Sequence, residues 1–338
     1  MSIYFLAFIT CIICPKVMKE RYRSYRKYVN EKFGCRVNKL SVDVGFTCPN
    51  RDGSIAQGGC VYCNNDSFVP PYARARYPMR EQISRGMEYL RKRFKAKKFI
   101  VYFQAYTNTY ADVAQLERMY REALSWEDVV GIAVGTRSDC IDEEKLDMFE
   151  RLARECYVTI EYGIESIYDR TLEFMNRGHD YRSVVDAIEL TKGRGIDIGA
   201  HIIVGMPTET KEEMLEMADE VSTLGLDSFK VHNLHIVRNT PLARMYKEKP
   251  FPLFEYEEYI DFIVSFLERL SPEIVVERLF TDTPHDLLIA PIWNKSHLQV
   301  LQGIEAELLS RDTYQGVLFG RAVYPGSSDC AEHALNRD

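Results

Sequence analysis

The stretch Lys39-Leu-Ser-Val-Asp-Val-Gly-Phe-Thr-Cys48-Pro-Asn-Arg-Asp-Gly-Ser-Ile-Ala-Gln-Gly-Gly-Cys60-Val-Tyr-Cys63-Asn64 runs a strand-like segment, 39–46, straight into a glycine-rich loop with three cysteines. A cubane cluster has four irons, so three thiolates leave one iron without a protein ligand. An open iron binds and activates a small molecule, whereas a fully ligated cluster mostly carries electrons. Cys-x-x-Cys is also half of a structural zinc site. Zinc would want a fourth Cys or His close by, and the flanks 41–47 and 64–75 contain neither; His ligands from distant loops would have to complete it. Gly58 and Gly59, directly before Cys60, allow the tight backbone that wrapping a cluster demands.

Outward from this loop the chain alternates strand and helix patterns. Strands are expected at 39–46, 99–104, 129–135, 157–163, 197–204 and 228–235, with amphipathic helices at 113–124, 143–154, 181–193 and 211–224. Such alternation implies right-handed crossovers and a parallel sheet. Six units make a partial (β/α)6 TIM-like barrel, in which chemistry sits at the C-terminal ends of the strands. The cysteine loop follows the first strand and so falls at that end. After Val237 the pattern changes to a helix ending near Leu270, a strand-like 273–279, a loop with Pro284, His285 and Pro291, and a helix over 296–309. This reads as a C-terminal α/β extension closing one side of the barrel.

Several further stretches join the cysteine loop in resembling one family: YFQAYTNTYA (102–111), GTRSDC (135–140), YGIES (162–166), MNRGHDY (175–181), HIIVGMPTET (201–210) and KVHNLHIV (230–237). From about Tyr25 to about Gln315 the chain resembles the radical S-adenosylmethionine (SAM) superfamily, in its YhcC/YtqA-like subgroup related to the elongator catalytic subunit. The resemblance implies a 4Fe–4S cluster on Cys48, Cys60 and Cys63. It also implies a one-electron reductant of flavodoxin or ferredoxin type, and cleavage of SAM to methionine and a 5′-deoxyadenosyl radical. It places Tyr62 against the adenine and Gln104 and Asn108 in the amino-binding segment, although the usual Gly-Gly-Glu is absent there. Glu165 is the expected ribose or methionyl contact, Arg137 and Arg177 face the carboxylate, and the Gly205 turn approaches the adenine. The elongator kinship implies modification of a tRNA wobble uridine. An acetyltransferase domain is not expected after the barrel, so the expectation is a later tailoring step rather than an acetyl-dependent one. The rivals are a radical SAM enzyme acting on a small metabolite or peptide, and a non-catalytic metal-bearing RNA-binding module.

Polar residues inside barrel strands need a reason, because an unpaired buried polar group is costly. Gln104, Glu161, Glu165, His201, Lys230 and His232 occupy such positions; Glu161 and Glu165 share one strand parity, as do Lys230 and His232. A salt-bridged barrel core would account for any one of them. The set reads as a reaction cavity in which Glu161, Lys230 and His232 are the catalytic candidates. Cys140 and Cys156, isolated among apolar residues, read as structural thiols.

The 338 residues are 46% hydrophobic and 28% charged, with net charge −7, which excludes a protein coated in basic surface. Two basic clusters interleaved with aromatics, 19–27 and 91–98, have a composition suited to RNA contact, while charge runs are also ordinary solvated helix faces. The nine cysteines do not form a secreted disulfide framework, so a reducing cytoplasm is the expected compartment. The apolar run 1–14 is too short to span a bilayer and lacks a basic leader. The expected organisation is a mis-start or disordered leader over 1–17, a core with a basic N-terminal extension over 18–238, an extension over 239–316 and a disordered tail over 317–338.

Overall fold

The structure, a computed structural model, describes residues 20–320. The leader expected over 1–17, and all of the expected tail except 317–320, lie outside the described residues. Nine strands are described: β1 Val37–Val42, β2 Lys98–Phe103, β3 Val129–Thr136, β4 Tyr157–Glu165, β5 Asp197–Val204, β6 Ser228–Asn233, β7 Ile236–Val237, β8 Val275–Arg278 and β9 Leu288–Ala290. The α-helices are α1 Tyr25–Phe33, α2 Met79–Phe94, α3 Val113–Leu124, α4 Glu143–Ala153, α5 Asp169–Phe174, α6 Tyr181–Thr191, α7 Lys211–Thr223, α8 Pro241–Glu248, α9 Tyr256–Arg269 and α10 His297–Ser310.

Seven strands form one wholly parallel sheet in the order β1-β2-β3-β4-β5-β6-β8, curled as a half-barrel. One face of each strand packs under helices: Phe99, Val101 and Phe103 of β2 and Ile132 and Val134 of β3 join Leu116, Tyr120 and Phe149 in the main core. The other face looks into the lumen. Helix starts are set by side-chain caps a few residues beyond the strand ends. Asp112, Asp142 and Asp180 each accept a backbone N–H of the first turn, and Thr210 and Glu213 form a reciprocal box. These caps confine the strand-to-helix loops to the C-terminal face, where they border the lumen.

The six expected strands are all present, with two differences that matter for the site. The first ends at Val42 rather than at residue 46. Val42 pairs with Phe103, the last residue of β2, so beyond it the ladder has no partner. Gln82 of α2 takes over both backbone groups of Asp43, accepting its N–H (2.8 Å) and donating to its carbonyl (2.7 Å). The strand expected in the extension is β8, and it adds to β6 as a seventh parallel strand. Lys39 of β1 pairs with Glu277 of β8, and Ser24 bridges to Val276, so the two sheet edges approach each other. Beyond β6 the chain also forms the antiparallel pair β7–β9 and α8, both beside the cysteine loop.

Candidate active site

A cavity of about 230 Å³ opens at the C-terminal end of the half-barrel. Cys48, Cys60 and Cys63 line it together with Tyr62, Gln104, Arg137, Glu161, Glu165, Arg177, Lys230 and His232. Two expected site residues stand elsewhere. Asn108 Nδ2 donates to the carbonyls of Phe103 (3.1 Å) and Gly135 (3.0 Å), which fastens the turn after β2, while its Oδ1 is buried without a protein partner. Gly205, at φ 97°, packs against Phe254 and Leu234 outside the cavity wall.

At the cysteine end, the Cys60 thiol accepts from Asn50 Nδ2 (3.5 Å) and Arg177 Nη1 (3.7 Å). Burial, then neighbouring Cys60, pushes the Cys63 thiol up to about 12. The loop is braced by the turn after α5: Val61 N–H donates to the Met175 carbonyl (2.9 Å), and Asn176 Nδ2 to the Gly59 carbonyl (3.0 Å). Asn176 and Gly178 both have positive φ (54° and 79°), and a Cβ on Gly178 would meet Asn50 Oδ1 at 2.8 Å. Asn50 and Asn176 were missed at the sequence level, although the MNRGHDY stretch containing Asn176 stood out. Arg137 is held by Asp139 (2.8 and 2.7 Å) and donates to the Arg177 carbonyl (2.8 Å).

In the middle of the cavity, a register shift after Gly163 and a left-handed backbone at Glu165 (φ 63°) end β4. Such a conformation costs a non-glycine residue about 1–3 kcal/mol and persists only where its surroundings impose it. Glu165 Oε1 faces His201 Nε2 (3.3 Å) and Arg177 Nη2 (3.4 Å). Burial alone would raise this carboxyl; His201 and Arg177 instead hold it well below the usual range. Burial alone would lower His201, but Glu165 and then Glu161 raise it to about 9. A Cβ on Gly163 would lie 2.6 Å from Arg177 Nη2 and 2.7 Å from Glu165 Oε1, so the group requires glycine there.

Deeper in the lumen, Lys230 Nζ donates to both Glu161 oxygens (2.6 Å each) and lies 3.1 Å from Tyr102 Oη and Glu277 Oε1. Lys39 adds a second cation, 3.5 Å from Glu161. Two lysines and two glutamates thus balance, and Glu161 and Lys230 are closed into this ion-paired group while still reaching the cavity. Two histidines on the β6 side are held neutral. His232 is lowered by burial and by Arg278, and its Nδ1 meets Thr281 Oγ1 (3.0 Å). Burial lowers His235 to about 4; its Nε2 accepts from Asn233 Nδ2 (2.9 Å), so its Nδ1–H donates to Thr283 (2.9 Å).

The basic clusters expected to meet RNA lie at the other end of the barrel. Arg91 and Lys98 pair with Asp128, which precedes β3, and Arg23 pairs with Glu273, which precedes β8. Arg21, Lys27 and Lys92 are paired as well. Sequence reasoning missed a third group, at the mouth. Arg238, Arg244, Lys247 and Lys249 are exposed, and among the described residues none has an ion-pair partner. α8 lies on the cysteine loop, its Leu242 N–H bonded to the Val61 carbonyl (2.9 Å), and Asn64 of the cavity wall donates to the Arg238 carbonyl (2.9 Å).

Three cysteines on one loop, in a cavity at the strand ends of a parallel half-barrel, define a class. Residues 47–221 match the Radical SAM superfamily model and 226–310 the Radical_SAM C-terminal domain. The chain belongs to the radical SAM superfamily and is an enzyme of that class. It is 33% identical to YtqA of Bacillus subtilis over 90% of this chain and 94% of that protein. It is 25% identical to the tRNA uridine(34) acetyltransferase of Methanocaldococcus jannaschii over 58% of this chain, spanning 37% of that protein's length. The archaeal Elp3 of Methanocaldococcus infernus, solved with an N-terminal deletion, shares the fold. Its TM-score is 0.63 at 20% identity, over 82% of this chain and 64% of that one.

Membership implies a 4Fe–4S cluster and SAM, and the residues present fit both. Arg177 Nε and Asn50 Oδ1 are buried beside the cysteines without a protein partner. Among the described residues no three His, Cys, Asp or Glu side chains gather on one ion-sized point. No described helix is long and apolar enough to cross a membrane.

Proposed function

We propose that this enzyme modifies a tRNA, at the side chain of a wobble uridine, using a 4Fe–4S cluster held by Cys48, Cys60 and Cys63. When bound and reduced by a flavodoxin- or ferredoxin-type donor, the cluster supplies the electron that cleaves SAM to methionine and a 5′-deoxyadenosyl radical. The chain's own residues do the rest. Arg177 donates to Cys60 and, with Arg137 behind it, places positive charge where a thiolate-ligated cluster carries negative charge. Tyr62 would flank the nucleoside, while Glu165, fixed by His201 and Arg177, would present a carboxylate to donor groups of SAM. Glu161 and Lys230 hold the lumen floor in one geometry, and His232, kept neutral, offers a ring nitrogen to the reacting groups.

The observation that carries the tRNA reading is the unpaired basic strip 238–249 at the cavity mouth, on a protein of net charge −7. Such a strip is where a phosphate backbone would gain most. The tRNA-modifying relative supports it. The test is tRNA binding across a salt series. Arg244→Gln, Lys247→Gln and Lys249→Gln together should weaken binding about tenfold or more, and lower the log–log salt slope by about 0.7–0.9 for each lost phosphate contact. Neutralising Arg91, Lys92 and Arg93 at the far end should change neither. If the wild-type enzyme binds no tRNA, the small-metabolite or peptide reading replaces this one.

A further inference from the structure

Nearly every charge in the cavity wall has a partner. Lys39 and Lys230 meet Glu161 and Glu277, Arg177 and His201 meet Glu165, and Arg137 meets Asp139, while Asp282 is an exposed carboxylate 3.8 Å from His297, whose charged form burial disfavours. Two guanidinium groups are left over. Arg51 belongs to the cysteine loop itself. Arg278 stands at the end of β8, half-buried in the wall beside Thr281 and His232, with no hydrogen bond or ion pair among the described residues.

Its position is built, not incidental. Along β8 the register slips: Phe229 pairs with Val276, but the next residue of β6, Lys230, pairs with Arg278. In an even strand, neighbours point to opposite faces. The bulge lets both Glu277 and Arg278 reach the lumen, Glu277 onto Lys230 (3.1 Å) and Arg278 into the cavity. Bulges beside active sites commonly re-aim a side chain in this way. This half-buried guanidinium has no protein partner among the described residues, and its planar fork matches carboxylate and phosphate oxygens.

We propose that Arg278 is the receptor for an oxyanion of the substrate, a phosphate or a carboxylate, seated on the β6–β8 side of the cavity next to His232 and Thr281. This holds whether the substrate is a nucleic acid or a small molecule, because it rests on the cavity alone.

The experiment titrates the cluster-loaded enzyme with inorganic phosphate, acetate, uridine and uridine 5′-monophosphate by calorimetry, with and without saturating SAM. Wild type should bind at least one anion saturably, and uridine alone should bind more weakly. A preference for the monophosphate identifies phosphate; a preference for acetate identifies carboxylate. Arg278→Gln should weaken the favoured anion about tenfold or more, the loss of a charged hydrogen-bonded contact. Arg278→Lys keeps the charge without the fork and should fall between them; it carries the comparison if the Gln variant does not fold. Anion binding unchanged in Arg278→Gln, or absent from wild type, overturns the proposal. So does displacement of the anion by SAM, which would give Arg278 to the cofactor.

Discussion

His201 carries its charge because two carboxylates face it, Glu165 at 3.3 Å and Glu161 at 3.5 Å. Its folded value of about 9 lies above the ordinary 6.5. A raised base contributes stability that is complete below the unfolded value and lost as pH rises through the folded one. Glu165, depressed below its ordinary 4.5, acts in the opposite sense: its contribution is present above that value and lost in acid. The urea midpoint should therefore decline between about pH 6.5 and 9, and again below about pH 4.5. Glu165→Gln should flatten the alkaline decline and lower the His201 value in an NMR titration; an unmoved His201 would refute the pairing. The deeper pair is tested by a different contrast. Lys230→Met leaves Glu161 buried with less compensation and should cost about 3–5 kcal/mol, whereas the double variant Glu161→Gln with Lys230→Met should recover much of that loss. SAM cleavage retained in the double variant would assign the pair to architecture; its loss in a folded double variant would assign it to the reaction.

At the scale of elements, the turn 175–178 after α5 acts as the clamp on the cysteine loop. Gly178→Ala would force both a positive φ and a contact with Asn50 Oδ1 onto an alanine. The expected cost is about 1–3 kcal/mol, felt locally. The variant should fold yet lose iron faster than wild type on desalting, and equal iron retention would dismiss the clamp. Much of the element order was legible because apolar strands and capped amphipathic helices alternate over nearly the whole core. The parity of Glu161 with Glu165, and of Lys230 with His232, rightly indicated one shared cavity. Less was legible where long-range pairing decides. Nothing local told that β1 stops at Val42, since its ladder ends with β2 and the backbone of Asp43 turns to Gln82, 39 residues beyond Asp43. Nothing in 273–279 showed that it joins the main sheet, or that a bulge turns Arg278 inward. Asn108 was expected in the amino-binding segment from its place after the second strand, and the fold shows its Nδ2 bonded to Phe103 and Gly135 outside the cavity lining.

The whole molecule separates two kinds of positive charge. At the N-terminal ends of the strands Arg21, Arg23, Lys27, Arg91, Lys92 and Lys98 are paired while Arg26, Arg93, Lys95 and Lys97 have no ion-pair partner among the described residues; at the mouth, none of the cations of 238–249 is paired there, and α8 rests on the cysteine loop. Between these ends runs a lumen that grades from sulfur and guanidinium, through Glu165 and His201, to a balanced lysine–glutamate floor. The account stands on what the three thiols hold. The most direct measurement is electron paramagnetic resonance of the anaerobically reconstituted, dithionite-reduced protein, with and without SAM, alongside iron and sulfide analysis. It predicts about four irons and four sulfides per chain, a 4Fe–4S signal that changes shape when SAM is added, and loss of both in Cys48→Ala, Cys60→Ala and Cys63→Ala but not in Cys35→Ala. One zinc per chain, or a signal indifferent to SAM, would contradict it.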